Sequence, residues 1–215
     1  MLNEDKTRSY SMTRGLFISI EGPDGSGKST QIKKITEYLN KKGYETVLTR
    51  EPGGTVISEK IRSVILDKAH SEMAYMTEAL LYAASRAQHV EEVIKPALAE
   101  GKIVICDRFV DSSIAYQGCG RKLGEAVEII NRFAVDGCMP DITFLFKLPP
   151  SEGKKRIKED EQDRIEKEEL DFHNRVFEGY LELEKRFPER IRGIDATKTI
   201  EEVSAQILKC IESVL

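Results

Sequence analysis

The chain has 215 residues, and its 33 Lys and Arg against 37 Asp and Glu give a formal net charge of −4. That length suits one domain with a full core, and the lack of a basic excess argues against a nucleic-acid partner. No apolar run approaches the roughly 18 residues that a membrane span needs, and residues 1–14 lack the apolar core of a secretory signal, so we expect them to be a disordered extension.

The first predicted strand, residues 16–20, leads into a glycine-rich motif. Residues 22–29 read Gly-Pro-Asp-Gly-Ser-Gly-Lys-Ser, a complete G-x-x-x-x-G-K-[ST] pattern, and a helix is predicted from 28 to about 39. Backbone N–H groups converge on an anion at such a strand-to-helix turn. The motif therefore predicts a phosphate-binding loop, and a turn that binds no nucleotide is the alternative. The positions expected at ATP are Gly22, Pro23, Asp24, Gly25, Ser26, Gly27, Lys28, Ser29 and Thr30.

Within this loop, two side chains have chemistry that suits a nucleotide. Lys28 is expected to reach the β- and γ-phosphates, and the Ser29 hydroxyl is expected to bind Mg²⁺. Both roles follow from the motif, which is a hypothesis until its geometry is known.

Strand-like and helix-like segments alternate through the rest of the chain. In order they are a strand at 46–48, a Pro-Gly-Gly break at 52–54, a helix at 56–66, a helix at 77–100, a strand at 103–106, a helix at 124–135, a strand at 142–146, a charged segment at 152–170, a helix at 170–187, a strand at 191–194 and a helix from 199. This alternation predicts an α/β fold, with a parallel sheet covered by helices on both faces. Its strands would end at one edge, where ligands bind.

Several residues predict where these helices begin, end or bend. Thr77 is the expected N-cap of the long helix, and Gly101 lies just past its end. Pro96 is expected to kink the last turn of that helix or to end it early. Thr199 and Glu202 have the spacing of a capping box.

A second candidate site follows the continuously apolar strand at 103–106. Asp107 is placed to hold the water shell of Mg²⁺, although an aspartate at a strand end can also simply cap a loop. Arg108 beside it has a guanidinium suited to a second phosphate.

Tyr82 and Arg86 are spaced i and i+4, so they share one face of the long helix. The ring could stack on a flat base while the guanidinium binds a polar group. An ordinary cation–π pair at the surface is the alternative.

The acidic run at 159–164, Glu-Asp-Glu-Gln-Asp-Arg, is open to two interpretations. Such a run is usually a solvated surface. In a phosphoryl-transfer enzyme it could also be a mobile lid that excludes water from the transferred group.

The cysteines and histidines predict no metal site. Cys106, Cys119, Cys138 and Cys210 are scattered without C-x-x-C spacing, and the three histidines are equally dispersed. Isolated thiols are typical of a reducing cytoplasm.

Four segments together resemble one family. Residues 49–55 read T-R-E-P-G-G-T, 83–86 read A-A-S-R, 107–118 read D-R-F-V-D-S-S-I-A-Y-Q-G, and 163–166 read D-R-I-E. These segments resemble bacterial thymidylate kinases, in matching order, from about Gly15 to Ile207. The resemblance implies a three-layer P-loop fold with a five-stranded parallel sheet, a single nucleoside monophosphate kinase domain at 15–215, a lid at about 152–168, and a cytoplasmic homodimer.

The same resemblance implies that MgATP donates its γ-phosphoryl group to dTMP, giving dTDP on the route to dTTP. Arg50 and Arg108 would hold the acceptor phosphate, with Asp24 and Glu51 near the sugar and phosphate. Tyr82 would stack on thymine, Arg86 and Ser113 would hydrogen-bond the base, and Tyr116 would crowd the sugar 2′ position. The full set implied at dTMP is Asp24, Arg50, Glu51, Pro52, Arg62, Tyr82, Arg86, Arg108, Ser112, Ser113, Tyr116 and Gln117. Asp195 and Ala196 would lie near the donor adenine, and Ser29 and Asp107 would serve the metal.

Two departures from the family pattern concern the catalytic cations. Some members carry an arginine inside the phosphate loop where this chain has Gly25, and the lid here is acidic and slightly short. The expected catalytic set is Lys28 and Arg108, together with a cation from the lid. Arg164 ranks first because it lies in the matching D-R-I-E segment, Arg156 ranks second, and Lys158 is a further candidate.

Two rival functions stay open at this point. A kinase for another nucleoside monophosphate or a deoxynucleoside would keep the phosphate loop but would not need both Arg86 and Ser113 beside a stacking ring. A switch GTPase or a motor-type ATPase would use no acceptor, and the chain has no N-K-x-D motif for reading guanine.

Overall fold

The structure, a computed structural model, describes residues 14–156 and 163–215. Over these residues five parallel strands form one sheet in the order β2-β3-β1-β4-β5. The strands are β1 Phe17–Glu21, β2 Thr46–Arg50, β3 Ile103–Asp107, β4 Ile142–Lys147 and β5 Ile191–Asp195. The prediction of a five-stranded parallel α/β sheet is therefore confirmed.

Helices cover both faces of this sheet. They are α1 Lys28–Lys41, α2 Val56–Leu66, α3 Tyr75–His89, α4 Lys95–Ala99, α5 Val110–Ser113, α6 Glu125–Val135, α7 Pro150–Lys154, α8 Leu170–Arg186 and α9 Ile200–Glu212. Apolar residues of α1 and α9 pack against one face of the central strands, as Ile35 and Ile207 do against Ile20. Leu98 of α4 packs on the other face with Phe17 and Val104. Burying apolar side chains on both faces stabilises this three-layer arrangement.

The helix predicted at 77–100 differs from the structure at its start and in its regularity. The helix begins at Tyr75 after Ala74, so Thr77 is not its N-cap. The ring of Tyr75 packs under the Arg121 guanidinium at 4.6 Å, and this tertiary contact outweighs the capping preference of threonine. A π-helical turn at Val90–Ile94 then precedes α4. Because proline has no N–H and its ring clashes with the preceding turn, a widened turn accommodates Pro96 without ending the helix.

The capping box predicted before α9 is confirmed. The Thr199 hydroxyl accepts from the Glu202 backbone N–H at 3.3 Å, and the Glu202 carboxylate accepts from the Thr199 N–H at 3.0 Å. Two otherwise unpaired N–H groups at the helix start are thus satisfied.

The two ends of the sheet differ in what they present. Arg14 lies at the amino-terminal edge of the strands, where it donates to Asp141 at 2.8 Å. At the opposite edge, residues following β1, β2 and β3 converge on one cavity.

Residues 1–13 of the expected extension, and Lys158 with the acidic run at 159–162, lie outside the described residues. Among the residues that the structure describes, no helix is both long and apolar enough to cross a bilayer.

Candidate active site

The phosphate loop connects β1 to α1 through backbone conformations that only glycine adopts easily. Gly22, Gly25 and Gly27 have φ values of 129°, 75° and 90°. At Gly22 a Cβ atom would also lie 2.5 Å from the carbonyl oxygen of Phe146. The glycines thus satisfy a real backbone requirement, and they leave the loop N–H groups free to face an anion.

Three charged side chains meet above this loop. Lys28 Nζ donates to the carbonyl oxygens of Gly22 and Pro23 at 3.1 and 3.0 Å and lies 3.6 Å from Asp24 Oδ1. Arg108 Nη2 donates to the same Asp24 oxygen at 2.8 Å. Burial alone would raise the pKa of Asp24, but the positive charges of Arg108 and Lys28 outweigh it and lower that pKa. Asp24 therefore stays ionised and holds both cations at one place.

Two polar atoms at this end of the cavity are buried without a partner. Asp107 Oδ1 and Ser26 Oγ have no hydrogen-bond partner among the described residues, and both side chains line the cavity beside Ser29. Since an unpaired buried polar atom costs free energy, the two atoms are candidates for contact with a ligand or ion.

The cavity has a volume of about 480 Å³ and runs from the phosphate loop to α3. It brings together every residue expected at dTMP, namely Asp24, Arg50, Glu51, Pro52, Arg62, Tyr82, Arg86, Arg108, Ser112, Ser113, Tyr116 and Gln117. Residues 24–30 of the loop, Asp107 and Arg156 line it as well. One continuous cavity thus joins the phosphate loop and the Asp107–Arg108 pair, the two candidate sites identified from the sequence.

Arg86 forms the polar floor at the α3 end and is 1% exposed. Its Nη1 donates to Ser113 Oγ at 3.0 Å and to Asn131, its Nη2 donates to the carbonyl oxygen of Phe109 at 3.1 Å, and Glu51 Oε2 lies 2.7 Å from Nη2. Arg86 Nε is buried and has no partner among the described residues. The side chain is therefore held rigidly, with one donor left for a ligand.

Glu51 lines the cavity with a side chain that is almost fully buried. Its carboxylate contacts Arg86 and accepts from His89 Nδ1 at 2.9 Å, and His89 Nε2 lies 2.6 Å from the Thr49 hydroxyl. The carboxylate expected near the sugar and phosphate thus holds the base-side arginine in this structure.

Arg108 is held at the centre of the cavity by contacts from several elements. Its φ of 67° is unusual for a residue with a side chain. Nη1 donates to Ser112 Oγ at 3.2 Å and to the Tyr180 hydroxyl at 3.1 Å, and the guanidinium lies 5.1 Å from the centroid of the Tyr116 ring. These contacts compensate for the strained backbone.

Glu21, at the end of β1, lies beneath Arg108 and organises the surrounding groups. Its carboxylate accepts from the Phe109 N–H at 2.7 Å, from Ser112 Oγ at 2.5 Å and from the Tyr180 hydroxyl at 3.2 Å. Burial, with the nearby Asp111 carboxylate, raises the pKa of Glu21 to about 7.

Two arginines line the opposite wall. Arg50 makes a two-pronged ion pair with Glu59, at 2.7 and 3.1 Å, and is about half exposed. Arg62 Nη1 donates to the carbonyl oxygen of Pro52 at 2.8 Å. Both guanidinium groups lie at the cavity rim, where an anionic ligand could exchange with these partners.

The two described lid arginines take different positions. Arg156 lines the cavity, and its Nη1 donates to the carbonyl oxygen of Gly25 at 3.1 Å. Arg164, the first choice from the sequence, lies outside the cavity lining. Its Nη2 is 2.7 Å from Glu78 Oε2, and its Nε donates to the carbonyl oxygen of Ile65 at 2.8 Å. Of the two arginines, only Arg156 lies at the cavity in this structure.

Four further residues expected at ATP lie outside the cavity lining. Gly22 and Pro23 contact Lys28 through their carbonyl oxygens. Asp195 accepts from the Thr197 N–H at 3.1 Å just after β5, while Ala196 is buried in the core beside α1. Asp195 and Ala196 thus lie at the same edge of the sheet, without contact with this cavity.

Sequence reasoning missed several residues that organise the site, among them Glu21, Asn131, Tyr180 and Glu78. Asn131 and Tyr180 reach it from α6 and α8 and contact Arg86 and Arg108. Glu78 lies four residues before Tyr82 on the same helical face, and that spacing was the one signal that could have identified it.

The chain is similar to known proteins over most of its length. A family model described as "Thymidylate kinase" matches residues 20–207. Proteins named thymidylate kinase from Finegoldia magna and a Geobacillus species are 54% and 50% identical, over 92% of this chain and 96% of each relative. A crystal structure of thymidylate kinase from Ehrlichia chaffeensis superimposes with a TM-score of 0.76 at 34% identity, covering 93% of this chain and 99% of that one.

Proposed function

The chain belongs to the thymidylate kinase family and phosphorylates dTMP with ATP, and we propose a division of labour among its residues. The acceptor binds in the cavity between the phosphate loop and α3, with its phosphate toward Arg108 and its base on Arg86. The observation that carries this assignment is the set of buried atoms without a hydrogen-bond partner at the two ends of one cavity. Ser26 Oγ and Asp107 Oδ1 lie at one end, and Arg86 Nε and Glu51 Oε2 lie at the other.

At the base end, Arg86 Nε would donate to a carbonyl oxygen of thymine, and the Tyr82 ring would stack on the base. Arg86 Nη1 already donates to Ser113 and Asn131, and Nη2 donates to Phe109. The Glu51 carboxylate lies 2.7 Å from Nη2 as an ion pair. A donor fixed in this way loses little freedom on binding, so its hydrogen bond favours affinity.

Lys28 and Arg108 bring positive charge to the place where the donor and acceptor phosphates would meet. Asp24 holds both cations. Catalysis of phosphoryl transfer depends on alignment and on neutralising the charge that builds up between the phosphates. Arg156 is our candidate for the lid cation because it already lies against the phosphate loop.

The residues also fit a Mg²⁺ ion. Asp107 Oδ1 is a buried oxygen without a described partner, and Ser29 lines the same part of the cavity. A hydroxyl and a carboxylate that acts through water are the usual protein groups for this metal. When bound, Mg²⁺ would neutralise phosphate charge, and Ser29 and Asp107 would hold it.

A homodimer and a cytoplasmic location complete the proposal. Apolar side chains are exposed on α2, α3 and α6, among them Ile57, Leu80 and Phe133, which is 81% exposed. Because α2 packs on α3 and α3 packs on α6, these side chains lie on neighbouring helices, and exposed apolar side chains grouped in this way are typical of an interface. Sedimentation of the wild type and of Phe133→Arg tests the proposed dimer, with a dimer expected for the wild type and a monomer for the variant.

The cytoplasmic location is supported by the four cysteines, which are all free, as is typical of a reducing compartment.

The direct experiment is an acceptor screen. ADP release is measured with ATP and Mg²⁺, with and without dTMP, and with other nucleoside monophosphates, and the product is then identified. We expect release that depends on dTMP and formation of dTDP. Release that is independent of any acceptor would instead indicate a switch or motor NTPase.

A further inference from the structure

Glu78 is a buried carboxylate at the base end of the cavity that the proposed mechanism does not use. It lies in the first turn of α3, is fully buried, and precedes Tyr82 by four residues. Its Oε1 accepts from Gln117 Nε2 at 3.0 Å and from Arg121 Nε at 3.2 Å. Its Oε2 accepts from Arg121 Nη2 at 3.1 Å and from Arg164 Nη2 at 2.7 Å. Four hydrogen bonds therefore fix this group.

The carboxylate of Glu78 is ionised at neutral pH. Burial alone would raise the pKa of Glu78, but the hydrogen bonds from Arg121 and Gln117 outweigh burial and lower that pKa. An ionised carboxylate can only accept hydrogen bonds. The amide of Gln117 must therefore turn its NH₂ group toward Glu78, because its oxygen would meet another acceptor there.

This contact decides which polar atom Gln117 can offer to a ligand. Its Nε2 is bound to Glu78, and among the described residues no donor reaches its Oε1. The side chain lines the cavity together with Tyr82 and Arg86. Gln117 thus presents an acceptor at the base end, and that choice is made by Glu78.

We propose that Glu78 is a positioning residue for pyrimidine selectivity, acting by holding the Gln117 oxygen toward the base. The inference rests on the proposed dTMP site. Thymine and uracil carry an N–H at ring position 3, which would donate to Gln117 Oε1. Cytosine has an unprotonated nitrogen there, so two acceptors would face each other. A site with a fixed hydrogen-bond acceptor strongly rejects a base that has an acceptor at the facing position. Both the acceptor of the site and that of the base would then be left unpaired.

The test is the selectivity of Glu78→Gln, a substitution that keeps the size of the side chain. A neutral amide at position 78 can accept or donate, so Gln117 is no longer restricted to one orientation. The readout is the inhibition constant of dCMP against dTMP turnover, divided by the KM for dTMP. We expect this ratio to fall by about tenfold or more relative to the wild type. Because it is a ratio, it does not change with the fraction of folded enzyme.

Glu168→Gln is the matched control. Glu168 accepts from Nη1 of the same Arg121 at 2.7 Å, so this variant removes one charge from the same cluster. It should keep the wild-type ratio. A fall equal to that of Glu78→Gln would show that loss of charge, rather than orientation of Gln117, controls selectivity, and would overturn the proposal.

A second variant keeps the test valid if Glu78→Gln alone does not fold. The exchange Glu78→Gln with Gln117→Glu restores the net charge and again leaves an acceptor oxygen toward the base, so dTMP should be preferred as in the wild type. A folded Glu78→Gln enzyme with wild-type selectivity, or a folded exchange variant without it, would refute the role of Glu78. Failure of the wild type to phosphorylate dTMP would instead refute the proposed function, and the two results are separable.

Discussion

Gly25 of the phosphate loop and Gly153 of α7 are packed backbone against backbone. A Cβ atom on Gly25 would lie 2.7 Å from the carbonyl oxygen of Gly153, and one on Gly153 would lie 2.6 Å from the carbonyl oxygen of Asp24. Both distances are shorter than a carbon–oxygen contact allows. The loop and the segment that we expect to be a lid therefore meet at a place with no room for a side chain.

Gly153→Ala should displace α7 from the phosphate loop. We expect kcat/KM for ATP to fall by about tenfold, which corresponds to about 1.4 kcal/mol, because Arg156 would move with the displaced segment. Steady-state kinetics at saturating dTMP measures the effect. Ser151→Ala, at an exposed position of the same helix, is the control and should behave as the wild type. Equal kinetics for the two variants would contradict a role for this contact.

Lys28→Ala removes a charge expected at the transferring phosphates. Turnover with dTMP should fall by at least about 10². The free energy of unfolding should change little, since the contacts of the lysine head with described residues are those with two loop carbonyls and Asp24. Lys41→Ala, on the exposed end of the same helix, should retain full turnover. Near-native activity of Lys28→Ala would rule out a catalytic loop.

Arg156→Ala should mainly lower kcat, whereas Arg164→Ala should mainly lower the free energy of unfolding. Arg156 contacts the phosphate loop, so its loss should lower kcat by about 10² while the KM for dTMP changes less. Arg164 is bound to buried Glu78, so its loss should lower the free energy of unfolding by about 1–3 kcal/mol with a smaller effect on kcat. Paired kinetics and denaturant titrations separate the two effects. A larger loss of kcat for Arg164→Ala would restore the order expected from the sequence.

These two arginines illustrate how far the sequence could predict the site. The phosphate loop and the sheet follow from local patterns, because glycine spacing and strand-to-helix turns are local properties. The residues of the dTMP pocket were expected instead from the resemblance to thymidylate kinases. The partner of Arg164 is not local. Glu78 lies 86 residues away in the chain, and no spacing rule relates positions so distant.

The same limit applies to Glu51 and to the long helix. The resemblance to thymidylate kinases implied a place for Glu51 near the sugar and phosphate, and in the structure its carboxylate pairs with Arg86 and His89. Which way a side chain turns from a correctly predicted loop depends on tertiary contacts. Likewise, capping preference at Thr77 is a weak local effect that the packing of Tyr75 overrides.

Tyr116→Ala should narrow the preference for dTMP over ribothymidine monophosphate by about 1–3 kcal/mol, since the ring is expected to exclude a 2′-hydroxyl. The ring also packs edge-on against Phe172 and Tyr180 and lies beside Arg108, so kcat should fall as well. The ratio of kcat/KM for the two acceptors isolates the steric effect. Tyr116→Phe keeps the ring and should keep the preference, and a ratio unchanged in both variants would remove Tyr116 from this role.

Glu21 should make stability depend on pH. Its folded-state pKa of about 7 lies above its ordinary value of 4.5. Protonated Glu21 therefore contributes its full stabilisation below about pH 4.5, and this contribution is lost as the pH rises through about 7. Glu21→Gln is a neutral mimic. The free energy of unfolding of the wild type should therefore fall relative to that of Glu21→Gln between about pH 5 and about pH 8. A constant difference between the two proteins across this range would contradict the shift.

The pairing of β1 with β3 bears on how phosphoryl transfer and recognition of the acceptor base could each change in evolution or design. Ile20 and Asp107 are partners in register, so the phosphate loop and the Asp107–Arg108 pair extend from adjacent hydrogen-bonded central strands. The residues at the base end come mainly from α3, α5, α6 and the π-helical segment after α5. Substitutions on these helices could therefore change the nucleobase range while the pairing of β1 with β3 keeps the phosphate loop beside Asp107.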